Sequence, residues 1–179
     1  HYVYSLRAAM QTSCDDCETI GLKKDGEYQQ LNTNILQIAN EYYSSVRPKP
    51  QNNGSDRPLG ELLNEGVGYI ELRSLDLNPM MKEGIDEEQV QFLEVFMLFC
   101  LLEDSPAIST AELNEIDVNA NLVAHRGREP GLLLAHNGND LTLLNWGESI
   151  LDKVNECSIL MSEEHQKSVK TISKRIFAP

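Results

Sequence analysis

Two spacings of apolar residues divide the chain. Over residues 34–46 the positions alternate, with Leu36, Ile38, Tyr42 and Val46 on one side and Gln37, Glu41, Tyr43 and Arg47 on the other. Strand side chains leave opposite faces with a period of two, so this pattern predicts a half-buried strand with a polar second face. Pro48 and Pro50 are expected to end it, and residues 51–58 read as a loop by composition. A second strand is expected over about 67–77, with Ile70 and Leu72 on one face and Tyr69, Glu71 and Arg73 on the other, until Asn78-Pro79 stops it. Lys24-Asp25-Gly26-Glu27 carries an Asp-Gly turn signal, because Gly26 can take positive φ without steric cost. Tyr2, Leu6, Ala9 and Met10 fall at helical spacing before these strands.

The later half changes period. Asp86 followed by Gln89 forms a capping box, with Ile85 and Val90 placed as a hydrophobic staple. The helix it opens is apolar on every side over 95–102, which predicts burial all round, and Glu94 and Glu103 keep it too short for a membrane span. Ser109 and Glu112 repeat the box for a second helix. Asn145-Trp-Gly-Glu148 and Ser162-Glu-Glu open two more, with Lys167, Lys170, Lys174 and Arg175 toward the last C-terminus, where the dipole favours cations. Strands followed by helices, without βαβ alternation, predict an α+β fold. The expected division is a sheet-forming portion at 1–79 and a helical portion at 80–179.

Composition narrows the partners. The 179 residues carry a net charge of −13, which argues against nucleic acid as a main partner, since phosphate neutralisation needs clustered Lys and Arg. Between residues 83 and 117 there are ten acids and no Lys, Arg or His; helix starts and solvated faces account for them better than a cation-binding surface. No apolar stretch reaches the length of a membrane span. The four cysteines, Cys14, Cys17, Cys100 and Cys157, are too scattered for a disulfide framework, which points to a reducing, cytoplasmic setting. Cys14 and Cys17 have the C-x-x-C spacing but lack a second ligand pair for zinc, so they are expected as reduced thiols, and Cys100 as core. The first residue is His1, helical spacing begins at once, and the last residues show no closing element. A piece of a longer protein is expected.

Candidate chemistry lies on the polar strand faces. Glu71 and Arg73 are two apart on a strand, so both side chains leave the sheet in one direction. A carboxylate supplies the hard oxygen that Mg²⁺ prefers, and a guanidinium fork matches phosphate oxygens. Glu41, Tyr43 and Arg47 offer a second polar row that a neighbouring strand could set opposite. The same residues also suit an ordinary cross-strand ion pair, and spacing alone favours that reading.

Longer strings add a family. Gly21-Leu-Lys-Lys-Asp-Gly26, Gln30-Leu-Asn-Thr-Asn-Ile-Leu-Gln-Ile-Ala-Asn-Glu41, Tyr43 through Lys49 and Gly68-Tyr-Ile-Glu71-Leu-Arg73-Ser-Leu-Asp76-Leu-Asn-Pro79 together resemble glutamate–cysteine ligase of the proteobacterial type. The likeness continues through Asp86-Glu-Glu-Gln89, Asp104-Ser-Pro106, Ser109-Thr-Ala-Glu-Leu113 and Gly127-Arg-Glu-Pro-Gly-Leu132. Ala39 departs from it, where the family carries Glu. The resemblance implies a fold like that of glutamine synthetase, with an antiparallel sheet curved around the active site and helices behind. It implies joining of L-glutamate to L-cysteine with ATP and Mg²⁺, the first step of glutathione synthesis. By the same resemblance Glu71 is a metal ligand, Arg73 contacts the transferred phosphate, Tyr43 lines the cysteine pocket, and Arg47 matches a recurrent Arg.

The remaining metal carboxylates would belong to an absent N-terminal half. This span alone is therefore expected to be inactive and to leave an open sheet edge through which it could self-associate. Glu71, Arg73 and Tyr43 are expected to share one concavity. Two other readings stay open: a different carboxylate–amine ligase, which would differ at Tyr43, and a non-catalytic interaction module, which would show no nucleotide effect even at full length.

Overall fold

A computed structural model of the chain describes residues 2–51 and 58–176. The chain forms two compact units, His1–Asp76 and Leu77–Pro179. Helices and small antiparallel strand pairs make up both, so the fold is α+β as expected.

The first unit opens with helix α1 (Tyr2–Ala9), which buries Val3 and Leu6. Cys14 caps the short helix α2 (Asp15–Ile20), its Sγ accepting from the Cys17 N–H at 3.4 Å. Strands β1 (Lys23–Lys24) and β2 (Glu27–Tyr28) then pair across the expected Asp-Gly turn. Asp25 and Gly26 take φ of +52° and +88°, the two positive values that a type I′ hairpin needs.

The strand expected over 34–46 is not formed. A loop with a single 3₁₀ turn, Ala39–Glu41, occupies most of that stretch, and only Val46 joins a strand. The physical reason lies in the side chains. Leu31 N–H donates to Gln37 Oε1 at 2.6 Å, Asn34 N–H to Asn32 Oδ1 at 3.0 Å, and Gln37 N–H to Glu41 Oε2 at 2.6 Å. Local side-chain acceptors have taken the backbone donors that a ladder would use.

Strand β3 (Val46–Lys49) runs antiparallel to β4 (Tyr69–Leu72), with Arg47 opposite Glu71, Pro48 opposite Ile70 and Lys49 opposite Tyr69. Pro48 thus lies inside the strand and does not end it. The Arg73 N–H bonds the Ser45 carbonyl at 2.8 Å, and this phase puts Pro48 at a non-hydrogen-bonded pair, where its missing N–H costs no ladder bond. β4 is also shorter than the strand expected over 67–77. Between the strands lies helix α3 (Pro58–Glu65), unexpected from the sequence; Pro58 opens it, at a position where a helix has no use for an N–H. Residues 52–57 of the expected loop lie outside the described residues.

The second unit contains helices α4 (Glu87–Leu102) and α5 (Thr110–Arg126), strands β5 (Leu133–His136) and β6 (Asn139–Thr142), and helices α6 (Leu143–Ser158) and α7 (Glu163–Ile176). Both expected capping boxes form, Asp86 with Gln89 and Ser109 with Glu112. Val95, Val154 and Val169, one each from α4, α6 and α7, are wholly buried, with Phe92, Phe96, Phe99 and Ile150 packed on them. Burial all round α4 does not hold. α6 and α7 cover one side, while Cys100 is exposed and Leu101 and Leu102 keep 79% and 57% of their surface. The acids at the start of α4 are matched by the end of α7, since Arg175 reaches Asp86 at 3.5 Å and Glu88 at 2.6 Å.

Hairpin β5–β6 interrupts the half of the chain expected to be helical. Its turn, Asn137-Gly138, has φ of +52° and +73°. Helix α5 holds it in place: the buried Asn119 amide bonds both the N–H and the carbonyl of Ala135, at 3.0 and 2.7 Å. Glu115 accepts from the N–H groups of Asn137 and Gly138, each at 3.1 Å. Among the described residues no helix is long and apolar enough to cross a membrane.

Candidate active site

The β3–β4 pair has two unlike faces. Val46, Pro48, Ile70 and Leu72 share one; Arg47, Lys49, Tyr69 and Glu71 share the other, by the period-two rule applied to the observed register. Arg73 continues the polar face one step beyond β4, its N–H still bound to Ser45. The backbone holds these residues tightly at the far end as well. Gly68 N–H donates to the Lys49 carbonyl at 2.8 Å, and a Cβ at Gly68 would lie 2.6 Å from the Cα of Gln51. Only glycine allows that approach.

Glu71 is the centre of the face. Arg73 Nη2 donates to both of its carboxylate oxygens, at 3.0 and 3.2 Å, and Lys49 Nζ stands 3.4 Å from Oε2. The Arg73 hydrogen bond, with the charges of Arg73 and Lys49 behind it, holds the Glu71 carboxyl below the usual carboxylate range. Glu71 is therefore ionised at neutral pH. The Arg73 guanidinium also lies 5.8 Å from the centre of the Tyr43 ring, within cation–π reach.

The structure thus brings the three expected residues together, Glu71 and Arg73 by direct contact and Tyr43 through Arg73. Tyr43 does so from a loop and not from a strand, and it is 80% exposed. Its neighbour Tyr42 packs edge-on to Tyr2 of α1 at 6.1 Å between ring centres. Arg47 is set opposite Glu71, as the polar-row pattern anticipated, and is only 8% exposed. Lys49 lies in β3, beyond the strand end expected at Pro48. Carrying the period of two across the proline would have placed it beside Arg47.

A single carboxylate is a modest donor set for a metal. Glu71 offers the oxygen chemistry that suits Mg²⁺, but both oxygens face cations here. Among the described residues no group of three His, Cys, Asp or Glu could hold a metal ion. By its donor chemistry Glu71 fits as no more than one ligand of such a metal. The Cys14 and Cys17 thiols lie apart from this chemistry in the sequence and contact each other, with 2.6 Å between their sulfurs.

Comparison with known proteins places the chain. The family model described as Glutamate-cysteine ligase matches residues 1–123. The chain belongs to the glutamate–cysteine ligase family. It is 42% identical over 173 residues to the glutamate–cysteine ligase of Pseudomonas putida KT2440, covering 94% of this chain and 33% of that one. The enzyme of Shewanella halifaxensis is also 42% identical, over 165 residues, covering 92% of this chain and 32% of the relative. These matches run well past Leu132, where the resemblance in the sequence thinned. Among solved structures, a crystal structure of glutamate–cysteine ligase from Francisella tularensis in complex with AMP superposes with a TM-score of 0.88 at 34% identity, covering 97% of this chain and 35% of that chain. The chain spans about a third of the length of the curated relatives it matches.

Proposed function

We propose that a protein of family length containing this segment joins the γ-carboxylate of L-glutamate to the amine of L-cysteine at the expense of ATP, giving γ-glutamylcysteine, the first step of glutathione synthesis. The observation that carries the reading is the cluster of Arg73, Glu71 and Lys49 on the polar side of the β3–β4 pair, with Tyr43 joining from a loop, in a chain of this family.

In this reading the γ-carboxylate of glutamate takes the terminal phosphoryl group of ATP, releasing ADP. The cysteine amine then attacks the acyl phosphate, and inorganic phosphate leaves. Phosphoryl transfer concentrates negative charge, so fixed cations aimed at the phosphate supply much of the catalysis. Arg73 is the residue for that role. Its guanidinium is steadied by Glu71 and lies beside Tyr43, and its fork matches phosphate oxygens. Tyr43, exposed and next to Arg73, is assigned to the pocket for cysteine. Glu71, kept ionised by Arg73, is assigned as one ligand of Mg²⁺, which would neutralise phosphate charge when bound.

The segment described here supplies one carboxylate and a strip of cations. The other metal ligands and most of the glutamate-binding wall are assigned to the remainder of a family-length chain. That remainder is the first partner we propose, with the portion at 1–79 carrying the chemistry and the portion at 80–179 forming a separate helical portion. Among the described residues no third strand pairs with β3 or β4, which makes self-association of the isolated span a second proposal. A cytoplasmic setting, where ATP and reduced cysteine are both available, fits the proposed reaction.

The test is ADP release with glutamate, cysteine, ATP and Mg²⁺, for the full-length protein and for this span alone, with circular dichroism on both. The full-length protein should turn over and the span should not. No cysteine-dependent ADP release from the full-length protein would overturn the substrate assignment, and turnover that prefers another amine would point to a different carboxylate–amine ligase. Full-length-like activity from the span would overturn the need for the remainder.

A further inference from the structure

We propose that Arg47 contacts the bound ligand, its Nε–H donating to an oxyanion: a phosphate of the nucleotide or the carboxylate of an amino-acid substrate. The proposal rests on the ligase reading and adds a residue to it.

Arg47 lies opposite Glu71 in the β3–β4 register and on the same face, yet it differs from its neighbours. Lys49 and Arg73 keep a quarter to a third of their side-chain surface and share the Glu71 carboxylate, whereas Arg47 is 8% exposed. Among the described residues its Nε is buried with no hydrogen-bond partner. A guanidinium cannot escape this by losing its proton, so a buried N–H without an acceptor is costly unless an acceptor arrives. Glu71 is already occupied, accepting from Arg73 at 3.0 and 3.2 Å with Lys49 at 3.4 Å. Among the described residues this face therefore carries three cations, Arg47, Lys49 and Arg73, and one carboxylate, in a chain whose net charge is −13. A ligand oxyanion would supply both the missing acceptor and the missing negative charge.

Among the described side chains of the same unit, Oε2 of Glu61 on α3, which packs against β3, is also buried without a partner. Among the described residues Glu61 and Arg47 form no ion pair. Pairing between them is the competing explanation for the burial of Arg47, and the test separates the two.

The full-length protein is prepared with isotope-labelled arginine, and the Arg47 Nε–H signal is assigned by its loss in Arg47→Lys. Inorganic tripolyphosphate represents the phosphate source; L-glutamate and L-cysteine represent the carboxylate source. The signal should shift saturably with one of these anions. Calorimetry should show that anion binding about tenfold or more weakly to Arg47→Lys, the loss expected for one charge-assisted hydrogen bond, with Glu61→Gln unchanged. A signal that none of the three moves would overturn the proposal, as would an equal loss in Glu61→Gln. If Arg47→Lys fails to fold, residue-by-residue arginine assignment leaves the wild-type titration to decide. Turnover is measured in parallel. Absent ligation with the shift intact would fail the ligase reading alone, and normal ligation without a shift would fail the Arg47 assignment alone.

Discussion

The two units are built on opposite terms. In Leu77–Pro179, Val95, Val154 and Val169 are wholly removed from water, and three helices share that core. In His1–Asp76 the buried apolar positions among the described residues are Val3, Leu6 and Pro50, while Tyr28, Leu31 and Tyr43 are 68% exposed or more. The candidate chemistry sits in the second kind of environment. A pair of four-residue strands is marginal by itself. Its order comes from close backbone fit and from ion pairs. The difference teaches that stability and chemistry are carried by separate residues here, so each can be removed without the other.

Changing Arg73 should have the largest effect and should fall on one side only. In the full-length protein Arg73→Ala should lower kcat/KM by about 10³-fold or more, the consequence of losing a cation on a transferred phosphate. Its circular dichroism spectrum should match wild type, because Arg73 is not a core residue. An unchanged kcat/KM would remove that role from Arg73.

The reverse experiment truncates the core of the second unit. Val154→Ala deletes two buried carbons and leaves a cavity, which should cost about 2–3 kcal/mol in urea unfolding. Val46→Ala, at a residue 45% exposed, should cost well under half of that. Equal costs would erase the contrast between the units.

Gly68→Ala tests whether backbone fit maintains the site strands. A methyl group there meets the Gln51 backbone, with flexible side chain offering no relief, and the clash should cost about 1–3 kcal/mol. The loss should appear as faster amide exchange in β3 and β4 while α4, α6 and α7 stay protected.

The smallest effect is on pH. The Glu71 carboxyl has a lowered pKa in the folded chain, with the Arg73 hydrogen bond as the first cause. Stability from this pairing is thus fully present above the ordinary carboxylate pKa, and it is lost as pH falls through the lower folded value. Because the group is solvent-accessible the loss should be slight. Glu71→Gln should remove that part of the acid dependence of unfolding, and an identical acid limb in the variant would show that the pairing has no effect on stability.

What was legible in the sequence follows the same physics. Asp86 with Gln89, Ser109 with Glu112, and Asp25-Gly26 were readable because each signal is satisfied within a few residues. The shared face of Glu71 and Arg73 was readable because strand geometry fixes it. The false strand over 34–46 shows the limit: alternation does not reveal that Asn32, Gln37 and Glu41 will bind backbone N–H groups themselves. Leu101 and Leu102 show another, since an apolar residue signals a preference for burial without saying what covers it. Asn137-Gly138 was different. There the turn dipeptide is itself local, and it breaks an otherwise helical pattern.

The prolines of β3 have a consequence for how the cations are held before any ligand arrives. In Arg47-Pro48-Lys49-Pro50 each cation directly precedes a proline. The proline ring excludes the helical region for the residue in front of it and fixes its own φ. Arg47 and Lys49 are thereby biased toward extended backbone even in the unfolded chain, independently of β4. Less conformational freedom remains to be lost when an anion binds, so the strand presents its charges preorganised.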